Sequence, residues 1–185
     1  MKKQQRILLY DIETAGVNAR KSDLGFVIVF GYKWLGERAV HALTLKHDDL
    51  KRFSDKKLLV KASELLSIAD AVVAHYGSVF DKKFIQGRLL INHLPPVIHP
   101  PMRDTCFALR AITNFSSKRL KHAAKILQFR HQKLENNWPI AWFKVMQGDM
   151  KTLHKLAEYC KGDVLALEEL YLSISDYVKA WKEKE

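Results

Sequence analysis

The chain has 185 residues, 48% of them hydrophobic and 28% charged, which fits one soluble globular domain and leaves too little for two comfortable ones. Its formal net charge is +11 and its pI about 9.6, an excess that favours a polyanionic partner, nucleic acid ahead of an anionic membrane surface. Cys106 and Cys160 lack metal-type spacing, the apolar run after Arg6 is too short for a signal peptide, and no stretch approaches membrane-spanning length; together these predict a reduced, cytoplasmic protein without a membrane partner.

In chain order, Ile7 to Tyr10 form an apolar run closed by Gly16, the pattern of a buried strand. A loop covers 17–23. Leu24 to Leu35 predicts a long strand, Gly36-Glu37 a tight turn and Arg38 to Leu45 the returning strand of a hairpin. The polar segment from His47 to Lys57 reads as loop. Apolar residues at 58, 59, 62, 65, 66 and 69 predict a helix. Ala71 to His75 is a short strand, and a glycine turn from Gly77 leads through Asp81 into a helix ending about Leu90. Four prolines keep 93–101 extended or looped, with a short strand at Val97-Ile98. Asp104 to Ile112 predicts a short helix. Ser116-Ser117 offers an N-cap to a helix from Lys118 to Gln128. The segment 129–148 reads as irregular and aromatic, and 150–181 as helical in two pieces broken near Gly162. A hairpin followed by alternating helices and strands predicts a mixed α/β sheet with helices on its faces.

The acidic residues sit at the joints of this pattern. Asp11 and Glu13 are two apart on a strand, so their carboxylates share one face. At a spacing near 4 Å two such charges repel by roughly 4 kcal/mol at an effective dielectric of about 20. Either one is protonated or a hard divalent cation holds both. Asp81 falls in the first turn of a helix that follows a strand and a glycine. Tyr159 and Asp163 are four apart and share a helical face. Ordinary solvated surface acids are the alternative at each position taken alone.

In order and spacing, Asp11-Ile12-Glu13-Thr14, Phe80-Asp81 and Tyr159 through Asp163 resemble the three motifs of the DEDD (DnaQ-like) superfamily of 3′–5′ exonucleases. Glu158 stands where the histidine-type subgroup would place its histidine. The chain is therefore similar to the tyrosine (DEDDy) subgroup, which includes proofreading domains of family B DNA polymerases and small stand-alone exonucleases. The resemblance implies a ribonuclease H-like fold over residues 1–185, with a mixed five-stranded sheet flanked by helices. It implies two divalent ions, Mg2+ or Mn2+, on Asp11, Glu13, Asp81 and Asp163, with Tyr159 orienting the attacking water. It further implies a single-stranded 3′ end as substrate, DNA before RNA, and a polymerase or other replication or repair protein as partner. An exoribonuclease and a non-catalytic nucleic-acid-binding module remain the rival readings.

Thr14 and Tyr76 are the expected substrate contacts near these motifs. Tyr76 stands where the second motif usually carries asparagine, and either stacks on a terminal base or fills core space. Lys118, Lys121 and Lys125, at helical spacing, are either phosphate contacts or a solvated face. Asp104 is read as a cap and not as a metal ligand. His75, His122 and His154 have no catalytic spacing. Trp138, Trp142 and Phe143 are read as core or lid ahead of base-stacking residues.

Overall fold

The computed structural model describes residues 5–131 and 138–181. Its centre is the strand β1 (Ile7–Gly16), which pairs antiparallel with β2 (Gly25–Trp34) along its whole length. On its other edge β1 pairs parallel with β4 (Ala71–Ala74), but only from Ile7 to Leu9. β3 (His41–Thr44) extends the hairpin beyond β2, and β5 (Met102–Asp104) runs parallel to β4. The result is a mixed five-stranded sheet of order β3-β2-β1-β4-β5, flanked by helices, as the sequence pattern predicts.

Alternation along β1 divides the core. Leu8, Tyr10 and Ile12 enter one cluster with Phe30 of β2, α2 (Lys56–Ser67), α3 (Asp81–Ile91) and α6 (Trp138–Met146). Ile7 and Leu9 enter another with α4 (Thr105–Ile112), α5 (Leu120–Ile126) and the long α7 (Met150–Ile174). Asp11 and Glu13 continue the Ile7–Leu9 face, so the core-forming period carries them towards α7. α7 lies tight on the sheet there. Gly31 is the partner of Asp11 on β2, and a Cβ on it would come within 2.6 Å of Cys160 Sγ and 3.4 Å of the Cys160 carbonyl oxygen.

Several boundaries differ from the sequence reading. The predicted break near Gly162 is absent, and α7 runs unbroken to Ile174 before two short 3₁₀ turns. One interior glycine costs about 1 kcal/mol, which burial of Tyr159, Cys160, Val164 and Leu167 around it outweighs. The helix expected from Lys118 begins at Leu120 with Arg119 as its N-cap, so Lys118 lies outside it. Val97-Ile98 forms no strand; the fifth strand starts after the last proline, where the Pro101 carbonyl accepts from the Val72 amide. The segment expected to be irregular contains α6.

The supposed polar loop 47–57 holds a short helix, α1 (His47–Lys51), and a fully buried carboxylate, Asp55. Arg88 grips Asp55 through Nε at 2.9 Å and Nη2 at 3.0 Å, and Asn92 and the Val27 amide also donate to it. Arg88 Nη1 donates to the Ser22 carbonyl, fixing the β1–β2 loop to α3.

Gly31→Ala should lower stability by roughly 1–3 kcal/mol, as overpacking does, and should depress any activity further by lifting α7 off β1. Denaturant unfolding checks the first part. A variant as stable as the parent would show that α7 yields freely at this contact.

Candidate active site

Past Leu9, β1 has no strand on its β4 side among the described residues, because β4 ends at Ala74. The chain turns through Gly77 and returns as α3, and Asp81 Oδ1 accepts from the Ile12 amide at 3.2 Å. Asp81 thereby takes up a backbone donor located between Asp11 and Glu13. Gly77 makes the return possible, since a Cβ there would lie 2.3 Å from Ala74 Cβ. From the other side α7 supplies Tyr159, Cys160 and Asp163, all buried.

A cavity of about 290 Å³ is lined by Asp11, Glu13, Asp81, Tyr159 and Asp163, together with Phe80 and Trp142. All four predicted carboxylates and the predicted tyrosine therefore line one space. A larger cleft of about 560 Å³ adjoins it and shares Asp11, His75, Tyr76 and Asp163. Burial is the main force on Asp81 and pushes its carboxyl up to about 7, with a smaller contribution from the charge of Asp104, while amide donors pull the other way. Hard oxygen donors brought together with two of them, Asp81 and Asp163, buried suit a divalent cation, which would favour the ionised form of every member. The donor set thus fits the predicted metals.

Not every predicted contact lies here. Thr14 is buried and its hydroxyl donates to the Ala19 carbonyl at 2.5 Å, so its side chain serves the following loop and does not line either cavity. β1 and β2 slip register between Glu13 and Thr14, and this bulge separates Thr14 from the carboxylate pair. Lys118 and Lys121 line the larger cleft, whereas Lys125 is exposed and lines neither. Tyr76 lines both and is 40% exposed, which removes the core-filling reading. Phe143 is exposed, and the side chain of Trp138 lies outside the described residues.

Asp104 is a clamp, as its capping role predicts. Its carboxylate accepts from the amides of Cys106 and Phe107 at the start of α4. It also accepts from the Tyr76 amide and from the amide and hydroxyl of Ser78. One side chain thus joins the turn before Asp81 to α4. His75 lines both cavities, and its Nδ1 lies 2.9 Å from the Thr105 hydroxyl. The same hydroxyl donates to the Ala74 carbonyl at 3.3 Å, so Thr105 ties the His75 ring to the end of β4. Spacing alone gave no sign of His75.

Cys160 is the other neighbour that spacing does not reveal. Its Sγ lies 3.5 Å from the Asp11 carbonyl oxygen and 3.6 Å from Asp11 Oδ2. The potential ligand atoms of Asp11, Glu13 and Cys160 all fall within 4.8 Å of one another. Burial, and then the charges of Asp11, Glu13 and Asp163, push the thiol well above its ordinary pKa. It is therefore a thiol donor to Asp11 and not a thiolate.

The fold and this pocket define a ribonuclease H-like α/β protein. A family model described as the RNase H superfamily matches residues 8–175, and the chain belongs to that superfamily. The structure is also similar to that of the family B DNA polymerase from the hyperthermophilic archaeon Pyrobaculum calidifontis, with a TM-score of 0.71 at 14% identity. That likeness, which is one of fold, covers 93% of this chain and 25% of the polymerase. No curated protein sequence matches the chain. Superfamily membership and a carboxylate pocket at the sheet together support nuclease activity in general. Among the described residues, no helix is long and apolar enough to cross a membrane.

The raised Asp81 carboxyl sets a pH dependence in chelator. Between 3.8 and about 7 the unfolded chain loses this proton while the folded one keeps it. Stability should therefore fall as pH rises through that window, by on the order of a few kcal/mol. Asp81→Asn removes the titration. Its thermal midpoint in chelator should match the parent near the acid end and exceed it at pH 8. Parallel pH profiles for the two proteins would show that Asp81 is not held protonated.

Proposed function

We propose that the protein is a metal-dependent 3′–5′ exonuclease of the tyrosine-type DEDD group. It would remove nucleoside 5′-monophosphates from single-stranded ends, DNA before RNA. The observation that carries this reading is the smaller cavity, where Asp11, Glu13, Asp81, Tyr159 and Asp163 converge from three separate segments. A binding module would have no need of all five. The likeness to a family B polymerase supports the reading, because the motifs of this chain resemble those of the proofreading domains of such polymerases.

Asp11, Glu13, Asp81 and Asp163 would hold two Mg2+ or Mn2+ ions. Bound there, the ions would acidify the attacking water and neutralise charge on the leaving 3′ oxygen. The chain's own residues supply position. Ile12 orients the Asp81 carboxylate through its amide, and the Cys160 thiol orients that of Asp11. Tyr159, rigid in the middle of α7, presents a hydroxyl that would orient the water. Trp142 and Phe80 give the cavity part of its apolar wall.

A 5′-labelled single strand should shorten stepwise from its 3′ end with Mg2+ or Mn2+ and remain intact in chelator; RNA and DNA run in parallel rank the two substrates. Immediate release of the label as a mononucleotide would reverse the polarity, and full activity in excess chelator would remove the metals. Single-turnover cleavage separates the roles. Asp163→Asn should abolish detectable cleavage in a folded protein, whereas Tyr159→Phe should cost about 10²-fold or less. Parental rates in folded Asp163→Asn would rule out that residue as a ligand.

A further inference from the structure

Tyr76, in the larger cleft, belongs to a feature that the chemistry of the carboxylate pocket does not use and that extends to Phe107, outside the lining of the cleft. Tyr76 and Phe107 are each 40% exposed, and their rings stack at 5.9 Å with planes 21° apart. Arg110, one turn along α4 from Phe107, has its guanidinium 5.1 Å from the Phe107 ring centre and 5.7 Å from that of Tyr76. Neither ring belongs to either core cluster. Tyr76 has a φ of +66°, a left-handed conformation that side chains other than glycine and asparagine seldom adopt. Its amide is held there by Asp104, whose carboxylate also receives the Phe107 amide. One carboxylate therefore positions both halves of an aromatic surface open to solvent. Arg110, Lys118 and Lys121 line the cleft in which Tyr76 stands.

Part-exposed aromatic rings beside a guanidinium and ammonium groups suit an unpaired nucleobase with its phosphate. Position selects which nucleotide. At a 3′ end a single nucleotide lies beyond the scissile linkage, and the rest of the strand, with nearly all its phosphates, lies before it. The cations line the larger cleft, and the full set of carboxylates lines the smaller cavity.

We infer that Tyr76, Phe107 and Arg110 form a stacking platform for the nucleotide on the 5′ side of the scissile linkage, with Arg110 taking its phosphate. This assignment rests on the exonuclease reading above and adds residues that grip the strand. Because every base offers a ring face, the contact is sequence-tolerant.

The test compares two substrates on the full chain, parent beside Phe107→Ala, Phe107→Trp and Arg110→Gln. One is a single-stranded DNA with 2-aminopurine next to its 3′ nucleotide. The other is the methyl ester of thymidine 5′-monophosphate, which has a terminal nucleotide and only a methyl group on its 5′ side. The ratio of the oligonucleotide KM to the ester KM should rise by about 10-fold in Phe107→Ala and in Arg110→Gln, and Phe107→Trp should restore it. The two KM values moving together, or an unchanged ratio, would overturn the platform. Fluorescence of the 2-aminopurine in chelator separates the two readings. If the parent cleaves neither substrate yet quenches the probe, and Phe107→Ala does not, the platform stands and the exonuclease reading fails. Absence of quenching by the parent overturns the platform whether or not cleavage occurs.

Discussion

The bond from the Ile12 amide to Asp81 is where two otherwise separate parts of the molecule meet. A strand that loses its parallel neighbour after Leu9 leaves backbone donors to be satisfied, and an unpaired buried donor is costly. Asp81 meets that need and in doing so is drawn to the carboxylates of β1. The same bond that completes the sheet edge thus builds the acidic pocket. The close approach of α7 over Gly31 supplies the remaining side, and both depend on positions where a larger residue would not fit. These constraints hold Asp81 in the interior, and that burial is the main reason its carboxyl is raised to about 7.

Much of this was legible in the sequence because it follows from short-range rules. Strand alternation put Asp11 and Glu13 on one face, and helical spacing put Tyr159 with Asp163. The strand–glycine–helix pattern placed Asp81 at a helix start, where α3 indeed begins. What was not legible depended on contacts between distant segments. The burial of Asp55 needs Arg88, 33 residues away. Lys118, Lys121 and Lys125 looked like one helical stripe, but the helix starts after Lys118, so the periodicity was accidental. Thr14 lies in a run that reads as regular, yet the register slip beside it is set by β2. Cys160 and His75 stand beside Tyr159 and Tyr76 in sequence, yet their contacts with Asp11 and Thr105 come only from the fold.

Tyr76 shows the two levels in tension. The left-handed backbone that this turn adopts is one that asparagine tolerates well and an aromatic residue poorly. In this chain the strain is offset by the bonds to Asp104, and the ring is carried into solvent beside Phe107.

The buried Asp55–Arg88 pair has a consequence for how such a chain drifts over generations. Loss of either member strands a charge in the interior, at a cost of roughly 3–5 kcal/mol, a large share of the stability of a typical domain. Exchange of both for well-packed apolar residues is far less damaging. Single steps away from the pair are therefore blocked, while the joint replacement is accessible. Among descendants, positions 55 and 88 should either both keep their charges or both lose them, and Asn92, which also donates to Asp55, should be freed to vary in the lineages where the pair is gone.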